Sequence, residues 1–139
     1  MSLLFNPRTY NPSGFDEATQ AKLLALIDFF ESKGLAKNKE EYYSGEWYTD
    51  FLQLVADEKI FATFGTPAAV GALVGDDDAR WDLARINDLN EILGFYSLSQ
   101  WYAWQVSVLG LGPVWLSDND EARKQVAELL ADGAIFGFG

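Results

Sequence analysis

From Ile92 to Ser117 the chain carries no charged residue, and that stretch limits what the rest can build. It is long enough to cross a bilayer as one helix. Its content opposes that: Ser97, Ser99, Gln100, Gln105 and Ser107 would lie in hydrocarbon, while Gly110, Gly112 and Pro113 interrupt the run. A helix beginning near Ser97 and buried on most faces, followed by a bend, places the same residues at lower cost. Gly110 and Gly112 loosen its end, and Pro113 suits the first turn of a short further helix carrying Val114, Trp115 and Leu116.

Such a helix needs partners, and the flanking sequence supplies them. With 139 residues, 49% of them apolar, and five Trp, six Tyr and ten Phe, the chain has the material for one domain with a real core. After an irregular lead containing Pro7, Pro12 and Gly14, Asp16 is a suitable N-cap. Leu23, Ile27 and Phe30 then follow at helical spacing, widened by Leu24 and Leu26, up to Lys33–Gly34. The polar segment Leu35–Gly45 reads as a loop. Trp47, Phe51 and Val55 mark a second helix ending near Lys59, and Leu83, Ile86, Leu89 and Leu93 another that stops near Gly94. Between them Ile60–Gly75 reads as a buried connection with one short helical turn, broken by Gly65, Pro67, Gly71 and Gly75. Asp118 with Glu121 has capping-box spacing ahead of Ala122, Val126, Leu129 and Leu130, and Gly133 ends that helix. Ala134–Gly139 reads as the start of a strand, and a lone strand cannot satisfy its own backbone groups. The expectation is a polypeptide that continues, of which residues 1–139 form a single all-α domain. Its architecture is an up-and-down or orthogonal helical bundle of about five to six helices with a short extended C-terminal segment.

Charge and missing residue types narrow the function. A net charge of −11 with no basic cluster leaves nothing to release counterions from nucleic acid or to attract anionic lipid. Neither nucleic acid nor membrane is an expected partner. The chain has no Cys, which removes disulfides and thiolate chemistry and fits a reducing cytoplasm. It has no His, which removes Ser–His–Asp catalysis and His-ligated zinc. Met1–Tyr10 has a short apolar patch at Leu3, Leu4 and Phe5 but no basic start and no cleavage site, so it does not read as a signal peptide.

Motifs add little. Gly110–Leu111–Gly112 and Gly137–Phe138–Gly139 lack the third glycine and the strand-to-helix setting of a dinucleotide fingerprint. Asp76, Asp77 and Asp78 read as an acidic loop capping the next helix rather than as a metal site, since no calcium-loop spacing follows. Glu40, Glu41 and Glu46 beside Tyr42, Tyr43, Trp47 and Tyr48 read as a polar loop feeding a half-buried helix rather than as a recognition surface. Gln105 is the most informative polar residue, because an unpaired amide in the middle of an apolar helix costs about 1–3 kcal/mol. Either it bonds a neighbouring element, or it faces a cavity with Trp101 and Leu109, whose i, i+4, i+8 spacing it shares. An apolar cleft with one polar group suits a greasy ligand.

The order of these segments carries a resemblance. The helix Trp81–Leu93, the apolar helix Leu98–Leu109, the turn Gly112–Pro113–Val114–Trp115–Leu116 and Asn119–Gln125 running into Leu129–Gly133 resemble the N-terminal helical domain of the acyl-CoA dehydrogenase family. The last of these is similar to the family's G(T/N)(E/D)-x-Q-K-x-x-x-L-x-x-L-x-x-G stretch. Ala134–Gly139 resembles the strand after it, and Phe51–Ile60 with Phe64–Gly71 matches more loosely. The resemblance implies a flavoenzyme whose middle β-domain and C-terminal helical domain are absent here, usually assembled as a homo-oligomer. In that family a Glu base takes the α-proton of an acyl-CoA while N5 of FAD accepts the β-hydride, and the Glu lies beyond the region matched here. By resemblance Trp101, Gln105 and Leu109 face the acyl-chain pocket, and Phe138 and Gly139 sit at the edge of the flavin site. Trp101 and Trp104 would shorten or reshape that pocket. No metal is implied, FAD belongs to the complete protein, and this chain alone should be inactive. The alternative is a free-standing acidic helical bundle that binds an apolar ligand or a partner helix through the face around Trp101, Tyr102 and Gln105.

Overall fold

A computed structural model describes residues 5–135, which form an all-α bundle without strands. Eight helices are present among the described residues: α1 (Glu17–Lys33), α2 (Leu35–Ser44), α3 (Thr49–Asp57), α4 (Ile60–Gly65), α5 (Ala68–Gly71), α6 (Leu83–Tyr96), α7 (Leu98–Leu116) and α8 (Asp120–Ala131). The all-α expectation holds. The larger count comes from segments too short or too polar to show a stripe.

α1 forms as its sequence predicts. The Asp16 carboxylate accepts from the Thr19 N–H, and Leu23, Leu26, Ile27 and Phe30 face inward, while Leu24 is exposed. Leu35–Gly45, read as a loop, is instead α2. Gly34 and Gly45 bracket it, both at positive φ, and Asn38 alone on it is buried, so no apolar periodicity betrays it. Trp47 lies outside α3 and is exposed, whereas Phe51 and Val55 are buried as expected.

The Ile60–Gly75 connection contains two short helices, not one turn. Every residue of α4 is buried, so it sits between the two parts of the core. Ile60, Phe61 and Phe64 join Leu23, Phe30, Phe51, Leu89, Ile92, Leu93 and Trp104 in the larger cluster. Ala62 joins Leu111, Trp115, Ala127 and Leu130 in the smaller one. The segment after α5 is strapped onto α4 by backbone bonds, Arg80 N–H to the Thr63 carbonyl at 2.7 Å and Trp81 N–H to the Thr66 carbonyl at 3.0 Å. The three aspartates do not cap α6; Asp82 does, accepting from the Arg85 N–H.

α7 departs most from expectation. It does not bend before Pro113 but runs through it to Leu116. Pro113 removes one backbone donor, and both it and Leu109, the residue four positions earlier, are exposed, so the unpaired carbonyl falls on the solvent side. Nor is the helix buried on most faces. Gln100, Trp104, Ser107, Leu111 and Trp115 form its buried stripe, while Leu98, Tyr102, Leu109 and Leu116 are exposed. At α8 the cap is Asn119, accepting from the Ala122 N–H, in place of the Asp118–Glu121 box. Ala127 and Leu130 are buried there, and Leu129 faces solvent. Ala134 and Ile135 are irregular, and Phe136–Gly139, the rest of the expected extended segment, lie outside the described residues.

Candidate functional site

α7 carries the residues singled out by sequence, and its two faces differ in phase. The buried stripe starts at Gln100 and the exposed one at Leu98. Two residues correspond to about 200° around a helix, so the faces are nearly opposite. Leu98, Tyr102, Gln105, Leu109, Pro113 and Leu116 recur every three or four residues along the outer face, which bears no charge. In a chain of net charge −11 this is a long uncharged strip.

The predicted trio is divided between these environments. The indole N–H of Trp101 donates to the Asn90 side-chain oxygen on α6 at 3.1 Å, and the ring packs against the larger core cluster. Gln105 is half-buried and Leu109 is 54% exposed. The buried amide of α7 is therefore Gln100, five residues earlier than the glutamine that the sequence marks out. Phe138 and Gly139, assigned by resemblance to the flavin edge, lie outside the described residues. No helix among the described residues is long and apolar enough to cross a membrane.

A cleft opens where the first turn of α7 meets α2 and the α2–α3 connection. Its walls come from Asn38, Glu41 and Tyr42 of α2, from Gly45–Tyr48, and from Ser97, Ser99 and Gln100, and its volume is about 170 Å³. Asn38 and Gln100 are 9% and 4% exposed, yet neither amide atom of Asn38 nor the Gln100 Oε1 has a hydrogen-bond partner. Aromatic rings form the rim. Trp47 stacks on Tyr48 with centroids 4.8 Å apart and planes at 18°, and Tyr42 meets Tyr43 edge-on at 5.3 Å. Tyr42, Tyr48, Trp101, Leu98 and Tyr102 continue this rim as an open shelf onto the outer face of α7.

The charges around the cleft are already paired. Lys33 Nζ lies 2.5 Å from Glu41 Oε2 and 2.8 Å from Asp50 Oδ2, with its ammonium 5.3 Å from the Phe29 ring centroid. Desolvation raises the Asp50 pKa, but the Lys33 hydrogen bond and the Phe51 N–H outweigh it and the net shift is downward. Burial alone pushes the Tyr48 hydroxyl upward. Lys37 reaches Glu40 at 3.3 Å and Glu46 at 3.7 Å. Among the described residues no group of three or more acidic side chains is placed to hold a metal ion. The one feature of the sequence that points to this cleft is the acidic and aromatic cluster around Glu41–Tyr48. Nothing in the local sequence marks Asn38 or Gln100 as a buried amide rather than an exposed one.

No family model matches the chain, and no curated protein or solved structure matches it.

Proposed function

We propose that the chain serves as the N-terminal helical domain of an FAD-dependent, acyl-CoA dehydrogenase-like oxidoreductase, with the outer face of α7 as one wall of the acyl-chain pocket. The carrying observation is the uncharged strip Leu98–Tyr102–Gln105–Leu109–Leu116, left open by the other helices although its side chains are mostly apolar. An apolar strip of this length is stabilised by cover, and a saturated acyl chain or an adjoining domain supplies cover of the right chemistry. In this reading Leu109 and Tyr102 contact the chain's methylenes and Gln105 supplies the single polar contact that fixes their register. FAD, if bound in the complete protein, would supply the acceptor for the β-hydride. The helical domain contributes binding and exclusion of water, and the base comes from elsewhere. Homo-oligomerisation and a cytoplasmic setting belong to this proposal.

A direct test titrates the purified chain with a long-chain fatty acyl-CoA and with free CoA, reading the emission of its five tryptophans, of which Trp101 neighbours the outer face of α7. The acyl thioester should give a saturable change that free CoA does not, and Leu109→Lys should abolish it. Mixing the chain with an acyl-CoA dehydrogenase core that lacks its helical domain should restore substrate-dependent bleaching of the flavin. Equal responses to acyl-CoA and CoA, or no restoration, would refute the reading.

The shelf of Tyr42, Leu98 and Tyr102 favours a second reading, a free-standing bundle that takes an apolar partner helix across α7. Light scattering separates the two. A wall that lacks its neighbouring domain self-associates, whereas a binding module is monomeric and saturates with one peptide.

A further inference from the structure

We propose that α2 is a lid over the start of α7, latched by the Lys33–Glu41 ion pair and opened by melting between Gly34 and Gly45. The inference does not rest on the acyl-pocket reading, because it concerns what holds α2 in place and not the outer face of α7.

Little else attaches α2 to the bundle. Only Asn38 among its ten residues is buried, while Leu35, Tyr42 and Tyr43 are exposed, and no side chain caps its N-terminus. Packing of an apolar face, which gives most helices their stability, is therefore missing. Among the described residues the Lys33–Glu41 pair is the only hydrogen bond or ion pair that joins α2 to another helix. Two clefts, of about 170 and 200 Å³, lie between α2 and the first turn of α7. The closed arrangement also carries a penalty: both amide atoms of Asn38 and the Gln100 Oε1 are buried without a partner. Such groups are nearly always satisfied in folded proteins, and water reaches these once α2 lifts.

The latch is arranged so that it can release. Breaking a buried ion pair is costly chiefly because one charge is left without a partner. Lys33 Nζ has a second partner in Asp50 of α3, at 2.8 Å, and lies over the Phe29 ring, so the ammonium stays compensated when Glu41 departs. Glu41 itself moves out into water. A helix of ten residues does not persist alone in water, so the released segment melts. The glycines at its two ends, both at positive φ, confine the melting to residues 35–44. α1 and α3 stay in place, since Phe30 and Phe51 are buried in the larger core cluster. Opening uncovers Ser97, Ser99 and Gln100 and withdraws Tyr42 from the shelf that it shares with Leu98, Trp101 and Tyr102. The lid thereby controls access to the head of α7.

The chain has no cysteine, so one introduced thiol is a clean reporter of opening. Gln100→Cys sets a thiol beneath the lid at a position 4% exposed, and Ser107→Cys sets one two turns further along α7 at a position 1% exposed. Under native conditions iodoacetamide should alkylate the Gln100→Cys chain at least fiftyfold faster than the Ser107→Cys chain. Adding Glu41→Gln should speed the first reaction at least fivefold and leave the second unchanged, whereas adding Asp50→Asn should speed neither. Hydrogen exchange on the chain without any cysteine gives an independent reading: the amides of α2 should exchange at least fiftyfold faster than those of α1, and Glu41→Gln should accelerate α2 alone. Equal alkylation of the two thiols, equal acceleration of both by Glu41→Gln, acceleration by Asp50→Asn as large as that by Glu41→Gln, or α2 amides as slow as those of α1 would each overturn the inference.

Discussion

The Arg85 guanidinium donates to the Asp16 carboxylate at 2.7 Å, which ties the first turn of α6 to the N-cap of α1. It also bonds Asp82, the N-cap of its own helix, and the Thr19 hydroxyl at 3.1 Å, with the guanidinium carbon 5.2 Å from the Phe15 ring centroid. One side chain thus closes two helix starts that are distant in sequence. Arg85→Met keeps the apolar stem and removes the charged bonds, each worth about 1.5–3 kcal/mol. The variant should lose about 2 kcal/mol in urea unfolding, with an unchanged denaturant slope. A loss under a few tenths would show the network to be cosmetic.

The same cluster fixes the acid limb of stability. Desolvation acts to raise the pKa of Asp16, but Arg85 and the Thr19 N–H and hydroxyl prevail and hold it well below the usual carboxylate range. Asp82 is lowered in the same way by the Arg85 backbone N–H and guanidinium, against its own desolvation. Because the folded pKa lies below the unfolded one, the stabilisation is fully present above about pH 4 and is lost as pH falls through the folded values. The chain's net charge, −11 at neutral pH, reaches zero near its pI of about 4.2 and turns positive below it, so general self-repulsion also grows across the acid range. Comparison with Arg85→Met isolates the local effect: between about pH 4 and pH 2 the urea midpoint of the parent should fall more steeply than that of the variant.

These two helix starts also show what a sequence reveals. Asp16 was legible because a cap and the stripe Leu23–Ile27–Phe30 agree locally. α2 was not, because it has a single buried residue, a polar one, and is delimited by two glycines rather than by periodicity. The outer face of α7 was hidden for the opposite reason. A helix apolar all round has no phase in its sequence, so whether Gln100 or Gln105 turns inward is decided by how α4 and α6 pack against it. The cleft follows from that choice of phase and from the folding of α2, neither of which is encoded nearby.

Gly133 ends α8 as its sequence predicts, but its structural requirement is larger than a helix stop. Its φ is +87°, and a Cβ there would lie 2.9 Å from the Ala56 carbonyl oxygen of α3. Gly45, at the end of α2, has φ +70° and ψ 19°, in the left-handed helical region, with open space around it. Gly45→Ala should therefore show only the backbone penalty, about 1–2 kcal/mol. Gly133→Ala adds an overpacking cost of about 1–3 kcal/mol. Thermal unfolding of the two variants should rank them in that order; equal losses would mean that the α8 end does not dock on α3.

Trp115 and Gly65 provide the sharpest test of the smaller core. The indole N–H of Trp115 donates to the Gly65 carbonyl at 2.8 Å in a buried setting, joining the last turn of α7 to the end of α4. That carbonyl belongs to a helix C-terminus, where no intrahelical donor remains for it. Trp115→Phe preserves most of the ring's burial against Leu111, Ala127 and Leu130 but leaves the carbonyl unpaired, a cost of about 1–3 kcal/mol. Trp101→Phe removes a comparable bond, to Asn90, at a half-buried position where water can replace the indole. The Trp115 variant should therefore melt several degrees below the Trp101 variant. The reverse order would place the cooperative core at the α6–α7 contact rather than around α4.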